Sequence, residues 1–289
     1  MSYWHSLLLA VLAGFSVFFS SASKPPPAVA PVPPPVYPLC AAPAADPTLE
    51  CAIAALDPGR VPWLYTALWQ EVSAEPLVFQ AEGTYQAGPD RRVRIDMEVR
   101  CESARRNWQM ICDGQAIWEI DSAGSERPRW QKRVLPGERS GERLTAPPDP
   151  SCLGSFAGPG PLLQSLRRDV VFTHLETVRW RARDVILLTG ARSRVQTNWP
   201  HYHPRQCRLV LDALTLWPHR VEWWGPAPGV AGDIRLVQIE FRQPVLHHPV
   251  DESLFTFEPP APSDGEEVLP GAGPSRSRSQ KGAFTGFSR

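Results

Sequence analysis

Hydrophobic and polar positions divide the chain into a patterned middle and two unpatterned ends. The clearest signal lies at residues 92–101, where Val93, Ile95, Met97 and Val99 alternate with Arg92, Arg94, Asp96, Glu98 and Arg100. Strict period two with charge on the opposite positions predicts a strand with one buried and one wet face, as in an antiparallel sheet. Residues 77–86 alternate more weakly and place Phe79, Ala81, Gly83 and Tyr85 together. The next strand groups Trp108, Met110 and Cys112, and after the turn signal Asp113-Gly114 it is followed by Ala116, Trp118 and Ile120. One turn residue beyond a two-residue hairpin sets Met110 opposite Trp118 and Trp108 opposite Ile120, so a bulged or three-residue turn is expected. Further strands are predicted at about 129–135, 170–180, 184–191, 207–213, 219–224 and 234–242.

Helical spacing is rarer. Asp46 suits a cap, Pro47 a first helical position, and Leu49, Ile53 and Leu56 share a face before Pro58-Gly59 stops the pattern. Val61, Leu64, Leu68 and Val72 predict a second helix, and Leu162, Leu163 and Leu166 a short third one over 160–168. Residues 122–160 read mainly as a long loop. Nine or ten strands with two or three helices predict an α+β fold built on one large, curved antiparallel sheet.

The ends differ in kind. Leu7 to Phe19 form an apolar run followed by Ser20-Ser21-Ala22-Ser23, the core and cleavage region of a secretory signal over residues 1–23. The run is shorter than the roughly 20 residues that span a bilayer. Met1 to His5 carry no Lys or Arg, so an uncleaved anchor stays open beside a cleaved signal. Residues 24–45 are a proline-rich linker and 263–289 a Pro/Gly/Ser/Arg tail, and these two segments hold much of the 33 prolines; both are expected to lack stable structure. The folded domain is expected at 46–262. Thirty basic and thirty acidic residues cancel, and the arginines are interleaved with Asp and Glu, which argues against a nucleic-acid partner.

Export gives the six cysteines a redox meaning, since an even count in an exported chain suggests disulfides. Cys101 and Cys112 have apolar-face parity and flank a turn centred near Arg106-Asn107, which predicts a cross-strand bridge between them. Cys40–Cys51 and Cys152–Cys207 then remain by elimination.

Candidate chemistry is sparse. His201-Tyr202-His203 with Cys207 has metal-ligand residue types, and would support a metal-dependent hydrolase. Pro200 and Pro204 bracket the pair as a loop, however, and no Asp or Glu accompanies it. Glu119 and Asp121 fall on an expected wet face. No GxSxG elbow, P-loop or post-strand GxGxxG occurs. The reading is therefore a protein that is not an enzyme and uses no cofactor. The 11 tryptophans, six of them in or beside strands, suit either core packing or a pocket lining.

Two segments carry a family resemblance. Cys112-Asp-Gly-Gln-Ala-Ile-Trp-Glu-Ile-Asp121 resembles the DG-x-x-x-W-x-Y-D hairpin of LolA-like outer-membrane lipoprotein carriers, and Asp251-Glu-Ser-Leu-Phe-Thr-Phe-Glu-Pro-Pro260 resembles their F-x-F-x-P-P ending. Arg208 to Asp212, Pro218 to Glu222 and Ile239 to Phe241 match the late strands in order. The resemblance covers about residues 48–260. It departs after the final prolines, where Ala261-Pro262-Ser263 replaces the usual glycine, and it leaves the family's lid-latching arginine open among Arg91, Arg92 and Arg94. It implies a half-open antiparallel barrel with a lid of helices and an apolar cavity for lipoprotein acyl chains or other lipid. It also implies a periplasmic setting and membrane-associated donor and acceptor proteins. The expected partner is thus a lipid, the expected state a monomer, and the alternative an envelope interaction or sensor module of the same fold. Val93, Ile95, Met97, Met110 and Trp118 are the expected lipid-binding residues, on one face beneath the helices of residues 48–72.

Overall fold

The computed structural model describes residues 44–74, 78–102, 104–123, 128–135, 158–193, 203–247 and 249–259. The expected signal, nearly all of the linker and the tail lie outside the described residues, as do Cys40, Cys152, His201, Tyr202 and His248.

Helix α1 spans Ala45–Ala55 and begins one residue before the expected cap. Ala44 is the N-cap and makes no side-chain cap bond, while Asp46 places its charge in the first turn, at the positive end of the helix dipole. Leu49, Ala52 and Ala55 are buried. Where a second helix was expected, Leu64–Val72 is instead strand β1. Leu64, Leu68 and Val72 lie four apart, a spacing that fits a helix face and every second inward position of a strand equally well. Thr66 and Gln70 decide the matter, because both are fully buried on that same face, whereas a helix would turn them away from the leucines. The Thr66 hydroxyl donates to the Arg242 carbonyl at 2.8 Å, so a buried polar side chain is satisfied beside a bulge in the ladder.

Strands β2 (Phe79–Ala87), β3 (Arg92–Cys101), β4 (Ala104–Asp113), β5 (Ala116–Ala123) and β6 (Arg129–Val134) follow as a meander. Helix α2 (Pro159–Asp169) leads into a second meander of β7 (Val170–Trp180), β8 (Arg183–Arg192), β9 (Gln206–Asp212), β10 (Pro218–Pro226) and β11 (Asp233–Leu246). All eleven strands join one open antiparallel sheet in the order β6-β5-β4-β3-β2-β1-β11-β10-β9-β8-β7. The two meanders meet where β1 pairs β11, with Leu64 opposite Leu246 and Val72 opposite Val237. Among the described residues this is the expected α+β class, with more strands than predicted and two helices.

One apolar face, here called inner, carries the main core together with Leu49 and Ala52 of α1 and Leu162, Leu163 and Leu166 of α2. Strands spaced about 4.8 Å apart make an eleven-stranded sheet about 48 Å wide, while two helices side by side cover only about 20–24 Å. Ile95 on β3 and Leu188 on β8 are nevertheless both fully buried in that core. The sheet must therefore curl around its helices. Gly83 and Gly190 mark where it bends. A Cβ at Gly83 would sit 1.8 Å from the Asp96 carbonyl oxygen, and one at Gly190 would sit 2.5 Å from the Val171 carbonyl oxygen. Only glycine lets neighbouring strands fold in that closely.

Two turns differ from expectation, with large consequences for which side chains meet. The β3–β4 turn is at Glu102, which takes a positive φ, so Cys101 lies opposite Ala104. The β4–β5 turn is longer than predicted: Cys112 lies opposite Ile117, Met110 opposite Glu119, and Ile111 opposite Trp118. Asp113 Oδ1 organises it by accepting from the backbone N–H groups of Gln115 and Ala116, each at 2.7 Å. One residue of register turns every β5 side chain to the other face.

After β11 the chain returns across the outer face. Asp251 caps a 3-10 turn, Glu252–Phe255, by accepting from the Ser253 N–H. Arg92 pairs with Glu252 at 2.6 Å, and Arg94 donates to the Leu254 carbonyl at 3.1 Å. Phe255 is buried beside Trp63, and Phe257 packs on Trp118 with ring centroids 5.3 Å apart. The two phenylalanines of the F-x-F ending are thus the anchors of a strap that runs from β3 to β5.

Replacing Gly83 with alanine is expected to destabilise the fold by at least about 2 kcal/mol, because backbone atoms of β3 occupy the space of the new methyl. Gly229→Ala, where a Cβ would meet nothing within 4 Å, should cost about 1 kcal/mol for its positive φ alone. Urea unfolding of both variants checks the order, and equal losses would contradict the bend.

Candidate functional site

The candidate site is the inner face of β2, β3 and β4. Period-two alternation there turns Tyr85, Val93, Ile95, Met97, Val99 and Met110 toward the helices and the charged residues of β3 away. Ile95 stands opposite Met110, Val93 opposite Cys112, and Met97 opposite Trp108. Ile95, Met97 and Met110 are 0, 4 and 5% exposed, and Val93 is half-buried against them. Tyr85 marks where the lid meets this face. A Cβ at Gly158, just before α2, would fall 2.2 Å from its ring, so the helix start rests on the tyrosine. Burial pushes the Tyr85 hydroxyl's pKa up, so it stays a neutral donor.

Four of the five expected lipid-binding residues are therefore brought together. Trp118 is not among them. Register sets it on the outer face with Ile111 and Ile120, capped by Phe257 and by the edge of Trp130, whose centroid is 5.6 Å away. Ile117 takes the inner position instead and joins the main core. Trp118, Ile120 and Ile117 are all apolar, so alternation alone was ambiguous; the Asp113 side-chain bonds that lengthen the turn were the missing signal. The lid likewise consists of α1 and α2, not of a helix pair over residues 48–72. Both helices pack on each other and on β7.

The expected bridge between Cys101 and Cys112 does not form. Both are free thiols. Cys112 lies opposite Val93, eight residues along β3 from Cys101, which is about 27 Å against the roughly 7 Å limit for a disulfide. Cys207 is also free, which removes the pairing with Cys152. Cys51 is disulfide-bonded. Cys207 is fully buried on the inner face and burial pushes its thiol pKa well up, so it is held as a neutral thiol while His203 lies exposed outside the sheet. Among the described residues no group of three or more His, Cys, Asp or Glu is placed to hold a metal. Arg92 and Arg94 fasten the C-terminal strap, so neither latches the helices.

No protein-family model matches the chain, and no curated protein matches it. Solved structures do. A LolA superfamily protein of Nitrosomonas europaea is 14% identical, with 75% of this chain and 99% of that chain covered and a TM-score of 0.26. The Mycobacterium tuberculosis lipoprotein LppX is 14% identical over 71% of this chain and 98% of its own, with a TM-score of 0.40. A chain of the Pseudomonas aeruginosa MucA/MucB complex is 15% identical over 73% of this chain, with a TM-score of 0.35; this chain spans 60% of its length. All three likenesses are at 15% identity or less and at a TM-score of 0.40 or less.

Peptide mapping of unreduced, denatured protein is expected to return Cys101, Cys112 and Cys207 as thiols and Cys51 as bridged. In the native state alkylation should be slowest at Cys207, whose burial is complete. A Cys101–Cys112 bridged peptide would contradict the β3–β4 register.

Proposed function

We propose that the protein is an exported, periplasmic, non-catalytic carrier that takes the acyl chain of a lipoprotein or other lipid between the inner face and the α1–α2 lid. The observation that carries this reading is the asymmetry of the core: one curled sheet supplies a largely apolar surface from β8 to β4, broken at β1 by the buried Thr66 and Gln70, and two eleven-residue helices attached at the β7 side cover it. A lid anchored on one flank can lift from the β2–β4 flank without unpairing any strand. An acyl chain entering there replaces side-chain contacts with equivalent ones, at about 25 cal/mol per Å² of apolar surface removed from water, so binding needs no polar contact and no chemistry. Membrane-associated donor and acceptor proteins would load and unload a monomer, and the reading involves no nucleic acid.

Delipidated protein titrated with a fluorescent fatty acid is expected to show saturable binding. Ile95→Phe, which fills the β3 flank, should weaken it at least about tenfold while the protein stays folded with a melting temperature lowered by about 2–12 °C, since larger side chains cost about 1–3 kcal/mol in a packed core. Met97→Glu should lose binding and stability together, because it buries an unpaired carboxylate. No binding by delipidated wild type would favour an interaction module of the same fold.

A further inference from the structure

The acyl-chain reading leaves two features of the sequence unused, the tryptophan load and a basic set that is almost all arginine. On the outer face of β1, β10 and β11 they form one layered surface. Glu240 is 1% exposed although neither helix covers it. Its carboxylate accepts from Arg242 Nε at 2.6 Å and from Gln238 Nε2 at 2.8 Å, and Arg181 reaches it from the β7–β8 turn at 3.4 Å. Glu222 lies beside it, accepts from Trp224 Nε1 at 3.1 Å and faces Arg220 at 3.4 Å. The guanidiniums lie over indole rings: Arg242 over Trp69, 5.3 Å from its centroid, and Arg181 and Arg220 over Trp180, 4.4 and 5.1 Å from its centroid.

The charges are therefore stacked by depth. The side chains of Arg181 and Arg242 are 57 and 43% exposed, and those of Glu240 and Glu222 are 2 and 7% exposed. Solvent meets cations, with the anions that hold them sealed beneath. Guanidiniums held over indole rings are weakly hydrated; Arg181 and Arg242 each spend two nitrogens on Glu240, and their remaining N–H groups suit phosphate oxygens. We propose that this face docks the protein on a membrane surface containing anionic phospholipid, with Arg181 and Arg242 meeting the phosphates and Trp69 and Trp180 lying at headgroup level.

The occupant follows from charge and shape. A second copy presents the same cations and is repelled. An acidic peptide is bound by a groove or by strand addition at a sheet edge, whereas this layer lies over the central strands β1, β11 and β10, and the edge strand β7 reaches it only through its last residue, Trp180, and the turn that follows. Indole rings prefer the interface of a bilayer. Because the layer lies on the face opposite the lid, docking leaves the lid free, and the inference stands whether or not the carrier reading does.

The test is co-sedimentation with phosphatidylcholine vesicles and with vesicles holding about a third phosphatidylglycerol. Wild type is expected to bind the anionic vesicles at least about tenfold more tightly, since each arginine near such a surface adds a several-fold gain, and to release them at high salt. Removing Arg181 and Arg242 alone would strand the buried Glu240, so the variant is R181Q/E240Q/R242Q, with its melting temperature measured alongside. It should lose at least about tenfold in binding, while R181K/R242K keeps part of it. Ile95→Phe should bind vesicles like wild type, which separates docking from loading of cargo. Equal binding to both vesicle types, an unchanged triple variant, full competition by millimolar inorganic phosphate, or binding to polyglutamate but not to vesicles would each overturn the proposal. Should the triple variant fail to fold, binding of wild type to anionic vesicles that persists unchanged in about 0.5 M salt overturns it as well.

Discussion

An apolar sheet face about twice as wide as the two helices described over it must be dried largely by the sheet itself. That constraint organises the rest of the fold. It requires glycine at Gly83 and Gly190, where adjacent strands come within methyl distance of one another, and it brings β3 and β8, far apart in strand order, into one core with the helices. It also explains why the lid is small: the curled sheet encloses most of the volume, and α1 and α2 need only close the remaining gap.

The two faces of the same sheet show how context sets the cost of a charge. On the inner face the side chains flanking Ile95 are those of Tyr85, Val93, Met97 and Met110, so a carboxylate at that position would lack a charged partner beside it. On the outer face Glu240 is as deeply buried as Ile95, yet three donors converge on it. Burial alone therefore does not separate core from surface chemistry in this molecule; the supply of donors does.

Much of the architecture is legible in the chain because charge is confined to alternate positions. Residues 92–101 of β3, the second meander from β7 to β11 and the short helix at α2 follow directly from periodicity. The failures have identifiable causes. In β1 the leucines are spaced by four, which satisfies two periods at once, and the buried Thr66 and Gln70 hide the alternation that would have separated them. At β5 apolar residues stand on both faces, so only turn length fixes the side, and that length is set by Asp113 bonding two backbone N–H groups. The cysteine pairing failed with the turn it depended on. For the site, four inner residues were readable from one strand pair, whereas the outer arginine–tryptophan layer was invisible, since its members come from β1, the end of β7 and its turn, β10 and β11 and meet only in the folded sheet.

The pairing of β1 with β11 has a consequence for how the chain reaches this state. Leu64 and Leu246 stand side by side at the centre of the sheet, although nearly the whole domain separates them along the chain. Each meander can assemble from neighbours in sequence as the chain is made, but β1 keeps an unpaired edge until β11 arrives. Joining the halves is thus a long-range, entropically slow closure, and the protein spends the interval with its central edge and its apolar face open. A chain of this design is most vulnerable to aggregation, and most accessible to a chaperone, in the moments before β11 is delivered.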